Sequence, residues 1–163
     1  MEQKLWRPWI GMVGLLGLGV SHSQAVEAPH GGTLVELGRG AAQVEMVLDA
    51  DEGELTAYVL DGGAGKPART TQGVIRVDLK EGDKSYKLMM RPVPDRSKGE
   101  TKWDCSEFRG TAKVLVGAED VEGRIFFLHV EQRNFKRVPF DCKATEPASG
   151  SPSPVATPPD PQG

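Results

Sequence analysis

Residues 42–60 read AQVEMVLDADEGELTAYVL, and this stretch decides the fold class. In its first half the apolar residues Val44, Met46 and Leu48 recur at every second position. A period of two is typical of a β-strand that has one face in the core. A second alternating run follows the turn-forming residues ADEGE at 50–54, so the stretch predicts a β-hairpin.

The same period recurs along the rest of the chain. VIRVDLK at 74–80 and SYKLMMRP at 85–92 flank EGDK, which predicts a second hairpin. TAKVLVG at 111–117 and GRIFFLHV at 123–130 flank AEDVE and predict a third. No stretch has the apolar spacing of an amphipathic helix. About seven short strands predict a single antiparallel β-sandwich of the immunoglobulin-like kind, and an open β-barrel is the alternative.

Residues 1–25 have the pattern of a secretory signal peptide. Lys4 and Arg7 precede the apolar run WIGMVGLLGLGV at 9–20, which is too short to span a bilayer. The small residues Ser-Gln-Ala then end at Ala25, where we expect cleavage. We therefore predict a periplasmic or secreted protein whose mature chain has no membrane span.

The folded domain is predicted to extend over residues 26–143. Beyond it, residues 144–163 are rich in proline, serine and other small residues and contain no aromatic residue. Such a segment buries too little apolar surface to offset its loss of conformational entropy, so we predict a disordered tail. The tail is interpreted either as a frayed terminus or as a spacer or partner-binding proline segment.

Charge and motif content exclude several classes of function. The chain has 20 Lys and Arg residues against 23 Asp and Glu, a formal net charge of −3, which argues against a nucleic-acid partner. It lacks the G-x-S-x-G motif of serine hydrolases and the H-E-x-x-H motif of zinc proteases. The segment from Asp49 lacks the glutamate that ends a calcium loop, and Lys66 precedes proline instead of the hydroxyl residue of a phosphate loop. We therefore predict that the protein is not an enzyme.

Cys105 and Cys142 are the only cysteines in the chain. An even pair in an exported protein is commonly a disulfide, which would stabilise the fold by roughly 4 kcal/mol in the chain-entropy model. A thiolate metal site or a redox pair would need a C-x-x-C spacing or neighbouring histidines, and neither is present. We predict a disulfide that fastens the last segment, NFKRVPFDC, to the domain.

Two histidines and one glutamate are the candidate metal ligands. His30 lies in the segment APHGGTLVEL, just ahead of the first predicted strand. Neutral imidazole binds copper and zinc ions, but one histidine is a weak site, so Glu45, His129 or residues of a partner would have to complete it. The alternative is structural: Gly31 and Gly32 let the backbone approach the sheet while the imidazole hydrogen-bonds a neighbouring strand. For His129 the alternative is a partly buried, hydrogen-bonded side chain at a strand end.

The N-terminal part of the domain resembles the His-Gly-Gly segment found near the start of the periplasmic part of heavy-metal efflux adaptor (membrane-fusion) proteins. It is also similar to small, stand-alone secreted proteins of environmental bacteria, and this likeness extends over residues 28–130. In both groups His-Gly-Gly leads into a strand, and a strand with a central glutamate and a Y-x-L-D pattern with a following Lys-Pro come next. The matching residues here are His30, Gly31, Gly32, Glu45, Tyr58, Leu60, Asp61, Lys66 and Pro67.

The resemblance implies an exported accessory module in metal-ion handling or efflux, with an envelope protein or efflux component as partner and a copper or zinc ion as ligand. Two departures restrict this implication. The adaptors continue into helical-hairpin, lipoyl and barrel domains for which 163 residues leave no room, and this chain lacks the C-terminal histidines of many stand-alone relatives. The alternative is a purely structural or protein-interaction domain with no metal or small-molecule site.

Overall fold

The computed structural model describes residues 28–63 and 65–145, and these residues form eight strands joined by turns and by two longer loops, after β3 and after β5. The strands are β1 (Thr33–Leu37), β2 (Ala42–Asp49), β3 (Glu54–Asp61), β4 (Ile75–Glu81), β5 (Lys84–Pro92), β6 (Glu107–Thr111), β7 (Asp120–Val130) and β8 (Arg133–Lys143). In the described part of the chain, no helix is long and apolar enough to cross a membrane. The predicted signal peptide at 1–25 and residues 146–163 of the predicted tail lie outside the described residues. The first residue assigned to the tail, Ala144, is hydrogen-bonded to the domain: its N–H donates to the Glu119 carbonyl at 2.8 Å.

All eight strands belong to one antiparallel sheet with the order β1-β2-β3-β6-β5-β4-β7-β8. The sheet curls until β8 approaches β1 and β2 at its other end: the backbone N–H of Thr145, just after β8, donates to the Leu48 carbonyl of β2 at 2.9 Å. The predicted antiparallel all-β class is confirmed. Of the two predicted architectures, the open barrel fits this nearly closed sheet. The sandwich does not describe it, because pairing of Pro92 with Phe108 joins β5 to β6 and leaves no second, separate sheet.

The alternating sequence of β2 decides which side chains enter the barrel. The predicted hairpin is confirmed, since β2 and β3 pair along their whole lengths. Val44, Met46 and Leu48 point into the core and have no exposed surface. Full burial of one such side chain stabilises the fold by roughly 1.5–3 kcal/mol. The intervening residues face outwards, and Glu45 is one of them.

The third predicted hairpin is wrong. Only Thr111 of TAKVLVG belongs to a strand, and Lys113–Leu115 forms a 3₁₀ turn. The segment crosses the end of the β2–β3 hairpin, where the Gly117 N–H donates to the Ala50 carbonyl at 2.9 Å. Leu115 is fully buried there, and its side chain packs in the core. GRIFFLHV pairs instead with β8, which is formed by NFKRVPFDC.

The predicted disulfide is absent from the structure, in which Cys105 and Cys142 are buried free thiols. Cys105 lies just before β6, and its Sγ donates a hydrogen bond to the Glu107 carbonyl at 3.1 Å. Cys142 lies in β8, and burial raises the pKa of its thiol to about 12. Strands β5, β4 and β7 lie between β6 and β8. Neighbouring strands are about 4.8 Å apart, whereas a disulfide needs Cα atoms within about 7 Å. Pairing with β7, instead of a disulfide, holds the last segment.

Candidate functional site

The segment at 30–32 lies against the outer face of β2 and covers Glu45. This glutamate points away from the core, yet it has no exposed surface. Its Oε1 accepts hydrogen bonds from the backbone N–H groups of His30, at 2.7 Å, and of Gly32, at 2.9 Å. Its Oε2 lies 2.7 Å from Nδ1 of the His30 ring. A buried carboxylate is costly unless its oxygens are paired, and here three donors pair them.

Two glycines allow this close approach. A Cβ on Gly32 would lie 2.5 Å from the carbonyl oxygen of Met46 and 2.7 Å from Cγ2 of Val47. Any side chain at this position would therefore push the segment off the strand. Gly31 has a φ of 75°, a left-handed conformation that glycine adopts without steric cost. The two glycines thus seat the backbone, and the histidine before them reaches the carboxylate.

Tyr58 supports the His30 ring from the neighbouring strand. It lies opposite Glu45 in the pairing of β2 with β3. The two rings stack with their centroids 3.7 Å apart and their planes 11° apart. Burial, followed by the negative charge of Glu107, raises the pKa of Tyr58 above its ordinary value, so its hydroxyl is protonated at neutral pH. The imidazole is therefore fixed by a carboxylate at its edge and by an aromatic ring on its face.

His30 and Tyr58 line a small cleft of about 80 Å³ on the outside of the barrel. A cleft of this size holds an ion or one small group. Its polar lining contains three carboxylates against one lysine, which favours a cation. The polar residues that line it besides these two are Asp95, Lys98, Glu100, Ser106 and Glu107.

Local hydrogen bonds hold two of the carboxylates at the cleft. Hydrogen bonds from Ser97 and Lys98 lower the pKa of Asp95 to about 2. Glu100 is buried and accepts hydrogen bonds from Ser106 Oγ at 2.6 Å and from the Asp95 N–H at 3.0 Å. Burial raises the pKa of Glu100, but these hydrogen bonds outweigh it and leave the pKa below its ordinary value. Both carboxylates are therefore charged at neutral pH.

His30 has one ring nitrogen left for other interactions. An ionised carboxylate only accepts hydrogen bonds, so Nδ1 carries the hydrogen that Glu45 binds. In the neutral ring the lone pair is then on Nε2, on the side of the ring that faces away from Glu45. The His30 side chain is 41% exposed, whereas that of Glu45 is inaccessible. The arrangement can therefore present one imidazole nitrogen to a ligand in a fixed orientation.

The other predicted ligand, His129, is not part of this site. It lies in β7, where its Nδ1 is 2.8 Å from Oδ1 of Asn134 and its backbone N–H donates to Oε1 of Gln72 at 3.0 Å. Within the described residues, no group of three or more His, Cys, Asp or Glu side chains is placed to hold a metal ion. The structure thus brings His30 and Glu45 together and leaves His129 elsewhere.

The sequence pattern does not identify two of the residues that line the cleft. Glu100 and Glu107 enter it from β6 and the loop before it, and β6 is only five residues long, too short for a recognisable alternation. Tyr58, by contrast, belongs to the Y-x-L-D pattern on which the resemblance rests. Asp61 of the same pattern has a structural contact: its Oδ1 accepts a hydrogen bond from the Lys66 N–H at 3.0 Å, which closes the loop after β3.

Comparison with known proteins gives no match, whether against family models, curated proteins or solved structures. The resemblance to efflux adaptors therefore stays a prediction.

Proposed function

We propose that the protein is an exported, non-enzymatic accessory module that binds a copper or zinc ion in the cell envelope, with His30 as its ligand. The observation that carries the proposal is the pairing of His30 Nδ1 with the fully buried carboxylate of Glu45. Metal-binding histidines commonly donate their second ring N–H to a carboxylate, which fixes the tautomer and makes the other nitrogen a better ligand. The same pairing at His30 supports Nε2 as the metal-binding atom.

In this proposal Glu45 positions His30 and does not bind the ion. Its Oε1 already accepts two backbone hydrogen bonds and its Oε2 accepts the imidazole N–H. Its side chain also has no exposed surface. An ion could reach the carboxylate only if the segment at 30–32 left the strand. Glu45 is therefore a positioning residue, which replaces the ligand role that the sequence suggested.

Glu107 is the second donor that we propose. It lines the same cleft as His30 and lies opposite Tyr58 in the pairing of β3 with β6. Its Oε1 accepts a hydrogen bond from Nη2 of Arg109 at 2.8 Å, which fixes the carboxylate. Imidazole nitrogen and carboxylate oxygen are both ordinary ligands of zinc and of divalent copper.

Two donors leave the coordination of the ion incomplete. Zinc sites in proteins commonly use three or four protein ligands, and in the described part of the chain no cluster of three is placed to supply them. Water or an envelope partner would then provide the remaining ligands. An incompletely coordinated ion exchanges readily, so we propose that the module passes the ion to or from an efflux component and does not store it.

A protein-interaction domain without a metal site is the second candidate. The observation that favours it is the use of all three donors around Glu45 to fasten the N-terminal segment to β2. That network explains the histidine and both glycines by fold stability alone. In this case the cleft would be one part of a docking surface.

Calorimetric titration of Zn²⁺ and Cu²⁺ into residues 26–163, purified without a histidine tag, separates the two candidates. We expect one weak site whose affinity falls at acidic pH, because a protonated imidazole cannot bind a metal. His30→Ala should abolish binding, and Glu45→Gln should weaken it about 10- to 100-fold because the ring loses its orienting carboxylate.

His129→Ala is the matched control, since it removes a histidine that makes its own hydrogen bonds on β7. It should leave the metal affinity unchanged. If the wild-type protein binds neither ion, or if His30→Ala binds as well as wild type, the metal function is wrong and the interaction domain remains.

A further inference from the structure

The pairing of β7 with β8 breaks at one point in the middle of both strands. The ladder lacks the pair between Phe126 and Arg137, although the pairs on either side of it are present. Arg137 has a φ of 53°, in the left-handed region. The other non-glycine residues with positive φ in the described part of the chain, Arg39 and Glu131, lie in turns. A left-handed residue costs roughly 1–2 kcal/mol, and strain of this kind inside an element concentrates at functional sites.

The break also changes which face of β7 is buried. Ile125 is buried before it and Leu128 after it, so the alternation of buried positions slips by one residue. Two neighbouring aromatic residues, Phe126 and Phe127, consequently both reach the surface, and Phe126 is 39% exposed. The four residues at 125–128 are all apolar, so the sequence does not fix which face of β7 is buried here, and the fold decides it.

An apolar hollow with a basic rim occupies this place. Its volume is about 480 Å³, and almost all of its wall is carbon. The guanidinium carbon of Arg76, in β4, lies 3.5 Å from the centre of the Phe126 ring. Asp78 pairs with Arg76 at 3.3 Å, so the surplus positive charge comes from the two basic residues of β8. The residues that line the hollow are Phe126, Phe127, Lys136 and Arg137.

We propose that this hollow binds an acidic segment of a partner protein, which inserts one aromatic or aliphatic side chain between β7 and β8. The carboxylates that flank the inserted side chain would meet Lys136 and Arg137. An apolar anchor in a pocket supplies most of the affinity of such a contact, and charge complementarity supplies its specificity. The rim is positive although the chain as a whole has a formal net charge of −3, which favours an acidic partner over a basic one. The proposal is independent of the metal site at His30.

The geometry disfavours two other occupants. A second copy of this chain in a two-fold interface would bring Lys136 and Arg137 against their own counterparts, and like-charge repulsion opposes that contact. A membrane surface is contacted by apolar side chains that protrude. Phe126 instead lines a concave wall and packs against the Arg76 guanidinium.

Titration of the capped peptide Asp-Glu-Phe-Glu-Asp into ¹⁵N-labelled protein, residues 26–163, tests the proposal by NMR. We expect shifts at residues 126, 127, 136 and 137, with an affinity that falls as salt is added. Arg137→Gly should weaken binding about fivefold, because it removes one rim charge. Glycine accepts a φ of 53° without strain, so the variant retains the fold.

Arg39→Gly is the matched control, since it also removes an arginine at positive φ but lies in the turn between β1 and β2. It should leave the affinity unchanged. The proposal is wrong if the peptide gives no shifts at the hollow up to about 5 mM, a concentration that detects even millimolar affinity. It is equally wrong if Lys-Lys-Phe-Lys-Lys binds as well as the acidic peptide. Preferential binding to anionic phosphatidylserine vesicles, weakened by Arg137→Gly, would assign the hollow to membranes, and concentration-dependent dimerisation through it would assign it to a second copy.

Discussion

Two places on the outside of the barrel reverse the usual distribution of polar and apolar groups. At β2 the carboxylate of Glu45 is completely buried, and at β7 the ring of Phe126 is 39% exposed. The buried carboxylate is compensated by three hydrogen bonds from the segment at 30–32. The exposed ring has no such compensation from its own strand pair, since β8 is distorted beside it and its ladder pair is lost.

The difference between these two places indicates which of them stabilises the fold and which of them is available for binding. A satisfied buried polar group fixes the backbone around it, because moving that backbone breaks hydrogen bonds that the buried group cannot replace with water. An exposed aromatic ring buries little apolar surface, and strained residues and exposed apolar patches both concentrate at binding sites. We therefore expect substitutions around Glu45 to lower the free energy of unfolding and substitutions around Phe126 to leave it unchanged or raise it.

Gly32→Ala should have the largest effect. A Cβ at this position would meet the Met46 carbonyl oxygen at 2.5 Å, so the segment would leave β2 and expose Glu45. We expect a loss of about 2–4 kcal/mol in the free energy of unfolding, from the steric clash and from the broken hydrogen bonds together. Urea unfolding measures it. Gly63→Ala is the matched control, since a Cβ there meets nothing within 4 Å. Equal midpoints for the two variants would contradict this account of the motif.

Glu45→Gln should destabilise the protein by a smaller amount. The amide keeps the shape of the side chain, but its NH₂ group replaces one acceptor and faces a donor from His30 or Gly32. We expect a loss of about 1–3 kcal/mol, the usual cost of a buried hydrogen-bonding group left without a partner. Glu122→Gln, at an exposed position of β7, should change the urea midpoint little. A Glu45→Gln variant as stable as wild type would mean that the network around Glu45 does not hold the segment.

Arg137→Gly should leave stability unchanged or raise it by up to about 1 kcal/mol, because relief of left-handed strain exceeds the entropy that glycine adds to the unfolded chain. Arg124→Gly, in the paired part of β7 and without a positive φ, should instead lose about 0.5–1 kcal/mol. Thermal unfolding of both variants checks the contrast. If Arg137→Gly lowers the stability of the fold as much as Arg124→Gly does, Arg137 is not strained, and the expected contrast in stability between this region and Glu45 is wrong.

Local alternation predicted the first part of the fold well and the strand partners poorly. Val44, Met46 and Leu48 identified both the hairpin and its buried face, because those features depend on neighbouring residues. The segment at 111–117 alternates too, yet it packs as a 3₁₀ turn because the core needs Leu115 at the end of the hairpin. Which strands lie side by side depends on closure of the whole sheet. For the same reason, nothing local shows that β6 and β8 are too far apart for a disulfide.

Of the three candidate metal ligands predicted from the sequence, His30 and Glu45 lie together in the structure and His129 lies elsewhere. His30 and Glu45 were both identified, and they are hydrogen-bonded to each other on the outer face of β2, where the segment at 30–32 covers the carboxylate. Its burial comes from the N-terminal segment folding over an outward-facing position, which the alternation of β2 alone assigns to solvent. Glu107 enters the cleft only through the pairing of β3 with β6. The residues of a site built across strands thus follow from topology, which the sequence pattern does not contain.

Substitution of Asp95 should have the smallest effect on the free energy of unfolding. It tests whether burial or the number of hydrogen bonds accounts for the stabilising effect of Glu45. Hydrogen bonds from Ser97 and Lys98 lower the pKa of Asp95 from 3.8 to about 2, although the carboxylate is exposed to solvent. Because the folded state favours the ionised form, its contribution to stability is present above pH 3.8 and is lost as the pH falls towards 2. Asp95→Asn should therefore show a slightly shallower loss of stability than wild type across this range and only a small difference at neutral pH, because solvent screens an exposed group.

Urea unfolding between pH 2 and pH 7 measures the difference between the variant and the wild type. Asp83→Asn, in the β4–β5 turn, is the control for loss of an exposed carboxylate. If Asp95→Asn destabilises the protein at neutral pH as much as Glu45→Gln does, hydrogen-bond number outweighs burial, and the contrast between the two surface regions needs another explanation.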